Sequence, residues 1–260
     1  MPKDYVRWRQ EGNIAILELD NPPLNVLNSK LVVALQGRLN EIREKEDCRA
    51  LVLTGKGKAF AAGADIEELD ELLRLSAATH ELTRKMHETL EYLESFPGPT
   101  IAAINGVALG GGLELALAFD FRIAAKTASL GMPEIRLGLF PGFGGTQRLP
   151  RLIGVSRAKE MLFSGKPITA TESQRIGLVN RVVPPGEVLS ASKKMAHSLA
   201  ARPGRALQLL KEAVDKGLKM PLQEGCSLER DLFEEVFRTA DAEEGIGAFL
   251  EKREAQFKHY

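Results

Sequence analysis

Two glutamates stand where a charge is unexpected. Glu114 lies in NGVALGGGLELALAF (Asn105 to Phe119), among Leu113, Leu115 and Leu117, one turn after the glycines Gly110, Gly111 and Gly112. Glu134 lies in GMPEIRLGLFPGFGGTQRLP, where Pro133 fixes the entry and Ile135, Leu137, Leu139 and Phe140 are expected to give it apolar company. Glutamate is rarely buried unless it is paired or used. A desolvated carboxyl keeps its proton to a higher pH and can donate it near neutrality. Two carboxyls in different surroundings can therefore divide the acid and base roles of one reaction. The plainer reading of Glu114 is a capping carboxylate on a leucine-packed helix.

Glycines supply the complementary chemistry. Gly110 to Gly112 follow a buried strand and open a helix. A helix N-terminus leaves N–H groups free and carries a partial positive charge. Glycine lets a ligand oxygen come close to those groups, so a developing oxyanion could be held there. KAFAAGADI (Lys58 to Ile66) is a second small-residue stretch whose N–H groups could add a donor; taken alone, the plainer reading as a tight strand-to-helix turn is favoured. Gly142, Gly144 and Gly145 form a third flexible, donor-rich turn.

Other chemistries find no support. G-x-x-x-x-G-K-[ST], H-E-x-x-H, G-x-S-x-G and C-x-x-C are missing, and the S-x-x-K of Ser190 to Lys193 lacks its partner motifs. His80, His87, His197 and His259 lie in polar helical stretches or near the end of the sequence and read as solvated. No His, Cys and Asp cluster has ligand spacing, so no metal is implied. Lys plus Arg and Asp plus Glu both number 35, which argues against nucleic acid or an anionic membrane as the main partner. Cys48 and Cys226 are far apart and read as reduced thiols. MPKDYVRWRQEG resembles neither a signal nor a transit peptide, and no apolar run reaches the ~18 residues of a membrane span. A cytoplasmic protein is the expectation.

The elements that must position these residues alternate. NIAILELD (Asn13 to Asp20) reads as a strand with Ile14, Ile16 and Leu19 inward. Residues 29 to 46 form an amphipathic helix through Leu31, Leu35, Leu39 and Ile42. Ala50 to Gly55 is a short strand, residues 79 to 95 a helix stopped by FPGPT, and Thr100 to Asn105 a buried strand. FDFRIAAKTASLG offers two more short strands. After Gly145 the pattern is mostly helical, GLVNRVVP (Gly177 to Pro184) being the one late strand. Strand and helix in alternation predict parallel βαβ units. The helical run from about Pro185 to Tyr260 serves either as an oligomerisation layer or as a cap on the same subunit.

Four fragments in this order, KAFAAGADI, NGVALGGGLELA, MPEIRLGLFPGFGGTQRLPRLIG and EKREAQFK, resemble the crotonase (enoyl-CoA hydratase/isomerase) superfamily, closest to its enoyl-CoA hydratases. The resemblance runs from about Tyr5 to Lys258. It implies an α/β fold with a ββα spiral core over residues 1–195. It also implies a helical C-terminal region over 196–260 that builds trimers, usually paired into hexamers. It implies acyl-CoA thioesters as ligands, with no cofactor besides the CoA of the substrate.

Carried over residue by residue, the oxyanion hole maps onto the N–H groups of Ala64 and Gly111, and the catalytic pair onto Glu114 and Glu134. Gly142 matches a glycine whose N–H helps hold the catalytic water. Leu24, Ala62, Gly63, Asp65 and Ile66 match stretches lining the CoA, and Lys252 a lysine that reaches a neighbouring subunit's CoA in some members. NPPLNVLN departs from the more usual P-x-x-x-N-A-L form. Chain-length preference would rest on the helix after Ile66, with Leu69, Leu72 and Leu73 as candidates. The implied reaction is hydration of a trans-2-enoyl-CoA. A Δ3,Δ2-enoyl-CoA isomerase needs only one placed carboxylate, so the presence of both favours the hydratase. A dehydratase for another acyl group would keep both, and an RNA-binding relative on the same fold fits poorly with zero net charge.

Overall fold

Short apolar runs bounded by turn residues make strands, and here they make the middle of a sheet. The computed structural model describes residues 3–45, 47–75 and 80–259. Its strands are β1 (Val6–Glu11), β2 (Ile14–Leu19), β3 (Ala50–Gly55), β4 (Ala59–Ala61), β5 (Thr100–Ile104), β6 (Val107–Leu109), β7 (Phe121–Ala125), β8 (Ser129–Gly131), β9 (Ile168–Thr169) and β10 (Arg181–Val183). The helices are α1 (Ser29–Arg43), α2 (Ile66–Arg74), α3 (His80–Glu94), α4 (Gly111–Leu117), α5 (Gly145–Ile153), α6 (Val155–Ser164), α7 (Ala170–Arg175), α8 (Val188–Ala200), α9 (Gly204–Gly217), α10 (Leu222–Phe237) and α11 (Ala240–Glu251). A 3-10 helix spans Glu134–Leu137. The expected helix ends at 46 and 79 lie outside the described residues.

One sheet has the order β1, β2, β3, β5, β7, β10, antiparallel only between β1 and β2. The other has the order β4, β6, β8, β9, antiparallel only at β9. The chain visits them in turn: β3, β4, then α2 and α3; β5, β6, then α4; β7, β8, then α5. Each circuit lays one strand on each sheet and follows with a helix. The architecture is thus a ββα spiral, as the resemblance implies, and not the plain βαβ series that the longer strands alone suggest. The difference lies in β4 (AFA) and β6 (VAL), three residues each and too short to display a period.

The large sheet is covered on both faces. Ile14, Ile16 and Leu19 are buried as expected, but so are Ala15 and Leu17. One cover is α8, which packs across β2, β3, β5 and β7 and buries Val188, Ala196 and Ala200. The expected division at 195/196 falls inside this helix. Beyond it, α9 and α10 pack on each other, and α10 buries none of its residues. Leu218, Leu222 and Phe249 are each more than 80% exposed, and Leu210, Phe233, Phe237 and Leu250 on α9, α10 and α11 are exposed as well. Cys48 and Cys226 are both free; burial pushes the Cys48 thiol up to about 11, which keeps it unreactive. Among the described residues no helix is long and apolar enough to cross a membrane.

Candidate active site

The site grows from the junction of β6 and α4. Gly110 adopts φ 51° and ψ −128°, a conformation open to glycine, and its N–H donates to Gly131 O on β8 at 2.8 Å. A Cβ at Gly110 would lie 2.8 Å from Glu134 Oε1, and one at Gly112 would lie 2.0 Å from Ala61 O. The helix start is therefore pressed directly onto β4. Gly112→Ala is expected to cost about 1–3 kcal/mol by overpacking, read as a lowered urea midpoint at unchanged slope. The first helical N–H, that of Gly111, has no hydrogen-bond partner among the described residues.

A second loop brings another N–H to the same place. Ala62 N–H donates to Leu24 O at 3.0 Å, Leu27 N–H to Gly63 O at 2.8 Å, and Asp65 N–H to Leu27 O at 3.0 Å. In this parallel bridge Leu27 supplies both bonds, so the N–H of its opposite number, Ala64, points away from the ladder and stays unpaired among the described residues. Gly63, at φ 102°, lets the loop fold against α4; a Cβ there would sit 3.9 Å from Gly111 N. Asn25 holds the ladder from behind. It is buried at φ 53°, a left-handed conformation that asparagine tolerates, and its Nδ2 donates to Ala59 O at 2.9 Å and Lys56 O at 3.1 Å.

Both glutamates face this corner. Glu114 is 1% exposed, and its Oε1 accepts the N–H groups of Phe143 at 2.8 Å and Gly145 at 2.6 Å. Burial pushes its carboxyl up to about 7. The Gly145 N–H opposes the rise, and the charge of nearby Glu134 adds to it. Glu134 opens the 3-10 helix, with Oε1 against Gly110 and Oε2 buried without a partner; burial raises its pKa too. The apolar company expected for Glu134 is not what buries it. Ile135, Leu137, Leu139 and Phe140 are all exposed, because the 3-10 turn and the left-handed Gly138 swing them outward. The glycine corner does the enclosing.

The remaining expected residues divide. Leu24 and Ile66 are exposed on the rim, Ala62 is half-buried, and Asp65 caps α2 by accepting from Glu67 N–H at 3.0 Å. Leu69 and Leu72 are half-buried and Leu73 is exposed. The Gly142 N–H is unpaired among the described residues, and its carbonyl meets His87 Nε2 at 3.0 Å. Lys252 stands apart, exposed at the end of α11, whose principal packing is on α10. Among the described residues no group of three His, Cys, Asp or Glu side chains could hold a metal ion.

Comparison with known proteins matches this geometry to a family. A sequence profile described as enoyl-CoA hydratase/isomerase matches residues 9–260. The chain belongs to the enoyl-CoA hydratase/isomerase family. It is 42% identical over 260 residues to the crotonyl-CoA hydratase of Syntrophomonas wolfei, covering 99% of each chain. It is 40% identical over 259 residues to the short-chain-enoyl-CoA hydratase of Clostridium acetobutylicum, covering 98% of each. The crystal structure of enoyl-CoA hydratase from Bacillus anthracis superposes with a TM-score of 0.91 at 40% identity, covering 98% of this chain and 100% of that one.

Three residues that hold this corner went unrecognised in the sequence. Asn25 carries the ladder described above. His87, read as solvated, is half-buried against the loop at Gly142. Arg148 Nη1 donates to Phe143 O at 3.0 Å while its Nε binds Glu94 Oε1 at 2.5 Å. A usable signal existed for His87: it follows buried Met86 and precedes buried Leu90 and Leu93, at the edge of the packed face of α3.

Proposed function

We propose that the protein is an enoyl-CoA hydratase, which adds water reversibly to a trans-2-enoyl-CoA and gives the 3-hydroxyacyl-CoA. The observation that carries the reading is the juxtaposition of the buried Glu114 carboxyl and the half-buried Glu134, whose Oε2 is enclosed without a partner, with two unpaired N–H groups. The thioester oxygen accepts from Ala64 and Gly111, the donors counting most as charge grows on it in an enolate-like transition state. Glu114 acts as the carboxylate. Its Oε1 is committed to two N–H groups, which favours the charged form and leaves Oε2 to take a proton from water attacking C3. Glu134 acts as the acid, its partnerless oxygen delivering a proton to C2. The Gly142 N–H steadies the water. In the reverse direction the roles exchange, and nothing but the CoA thioester and water is consumed.

The same reading extends to the surroundings. Leu24, Ala62, Gly63, Asp65 and Ile66 form the shelf for the CoA moiety. The exposed apolar side chains of α9 to α11 cover a neighbouring copy in a trimer or a pair of trimers, and Lys252 reaches the CoA of that neighbour. The setting is the cytoplasm. The test is spectroscopic: loss of the enoyl-thioester absorbance is followed across trans-2-enoyl-CoAs of different length and branching. Saturable hydration of at least one is expected. Turnover of 3-enoyl-CoAs alone would replace the hydratase by an isomerase.

A further inference from the structure

The loop from Pro141 to Gly145 faces two ways. Its N–H groups at Phe143 and Gly145 donate to Glu114 Oε1. Its carbonyls at Gly142 and Phe143 turn outward, and each meets a side chain. Gly142 O lies 3.0 Å from His87 Nε2; a carbonyl can only accept, so Nε2 is the protonated nitrogen. Phe143 O accepts from Arg148, which is itself anchored by Glu94. His87 and Glu94 both belong to α3, seven residues and about two turns apart, so one face of one helix anchors both carbonyls.

Gly142 C=O and Phe143 N–H are the two ends of one peptide group. That group is planar and trans, so its carbonyl and its N–H point in opposite directions. A donor that fixes the carbonyl fixes the N–H as well. The stretch needs fixing, because Gly142, Gly144 and Gly145 leave it few internal constraints and Gly144 sits at φ 96°.

We propose that His87 is a positioning residue for the hydration reaction, acting through the Gly142–Phe143 peptide to keep the Phe143 N–H on Glu114, with Arg148 steadying the adjoining carbonyl. The proposal rests on the hydratase reading. It makes α3, which holds neither glutamate, a determinant of how readily Glu114 exists as the carboxylate. The charged groups that act on Glu114 besides the loop are Glu134, which disfavours its ionisation, and Arg148, which favours it.

The experiment compares His87→Ala, His87→Gln and His87→Asn with the parent over pH 5 to 9, on the member of a panel of trans-2-enoyl-CoAs of different length and branching that the parent hydrates best. A glutamine amide reaches the Gly142 carbonyl from a place close to that of Nε2, whereas an asparagine amide falls short. His87→Ala and His87→Asn are expected to lose about tenfold in kcat with KM within about twofold, and the acidic limb of kcat/KM moves to higher pH. His87→Gln is expected to recover most of the loss. If His87→Ala fails to fold, the Gln and Asn variants decide. An active parent with His87→Asn unchanged in kcat and pH profile would overturn the proposal alone. So would a loss confined to melting temperature. An inactive parent would overturn the hydratase reading together with it.

Discussion

Glu114→Gln and Glu134→Gln are each expected to lower kcat for hydration by about a hundred- to ten-thousandfold, the range for a positioned acid or base. Neither change should unfold the protein. A glutamine at 114 still offers its amide oxygen to the N–H groups of Phe143 and Gly145, which are the contacts that hold this side chain. At 134 the oxygen without a partner becomes an amide nitrogen, and the fold loses no hydrogen bond by it. What disappears is the ability of the side chain to give up and take back a proton near neutral pH. The two groups act on one transition state, so the double variant should lose little more than the worse single one. Steady-state rates on a good enoyl-CoA, taken with circular dichroism spectra of each variant, check both statements. A single variant with near-parental kcat would refute the two-carboxyl mechanism.

The same residue should cost stability, and the cost should depend on pH. The Glu114 carboxyl is raised from an ordinary value of 4.5 to about 7, chiefly by burial. Between these values the folded protein binds a proton that the unfolded chain has released, so stability falls as pH rises. Below pH 4.5 both states are protonated and the term vanishes. Above pH 7 both are ionised, and the folded state carries a penalty on the order of 3 kcal/mol. Glu134 is raised as well and contributes with the same sign. Glu114→Gln cannot ionise. Its stability relative to the parent is therefore expected to improve by about 3 kcal/mol from pH 4.5 to pH 8 in urea denaturation. A difference that stays flat over this window would mean that Glu114 ionises at its ordinary pH in the folded protein. On the proposed function, this cost is the stability given up to keep a carboxylate where the fold would prefer a neutral group.

What local composition dictates is legible in the sequence. β3 and β5 are continuous apolar runs because both faces of the large sheet are covered. Glu114 stands out because a lone carboxylate among leucines is uncommon, although a capping role would also account for it. The glycine run was visible because each glycine answers a steric demand, a left-handed φ at Gly110 and the β4 backbone at Gly112. What escaped is set by distant partners. The period of Ile135, Leu137 and Leu139 suggests an apolar wrap around Glu134, yet a turn closed by Gly138 sends those side chains to the surface. On its own helix His87 shows only as the edge of the packed face, and its partner is a carbonyl 55 residues away. The short strands β4 and β6 exist because each lies beside a neighbour of the spiral, information that no window of a few residues contains. Likewise α8 looks like its helical successors but packs on the large sheet, with its small residues Ser192, Ala196 and Ala200 turned inward.

If the paired carboxyls add water across an activated double bond, the oxygen goes to C3 and one solvent proton to C2. Mass spectrometry of the product formed from crotonyl-CoA reads this directly, with one reaction run in oxygen-18 water and another in deuterium oxide. One oxygen-18 in the C3 hydroxyl and one deuterium at C2 of 3-hydroxybutyryl-CoA are expected. A turned-over product that carries deuterium but no oxygen-18 would contradict this addition.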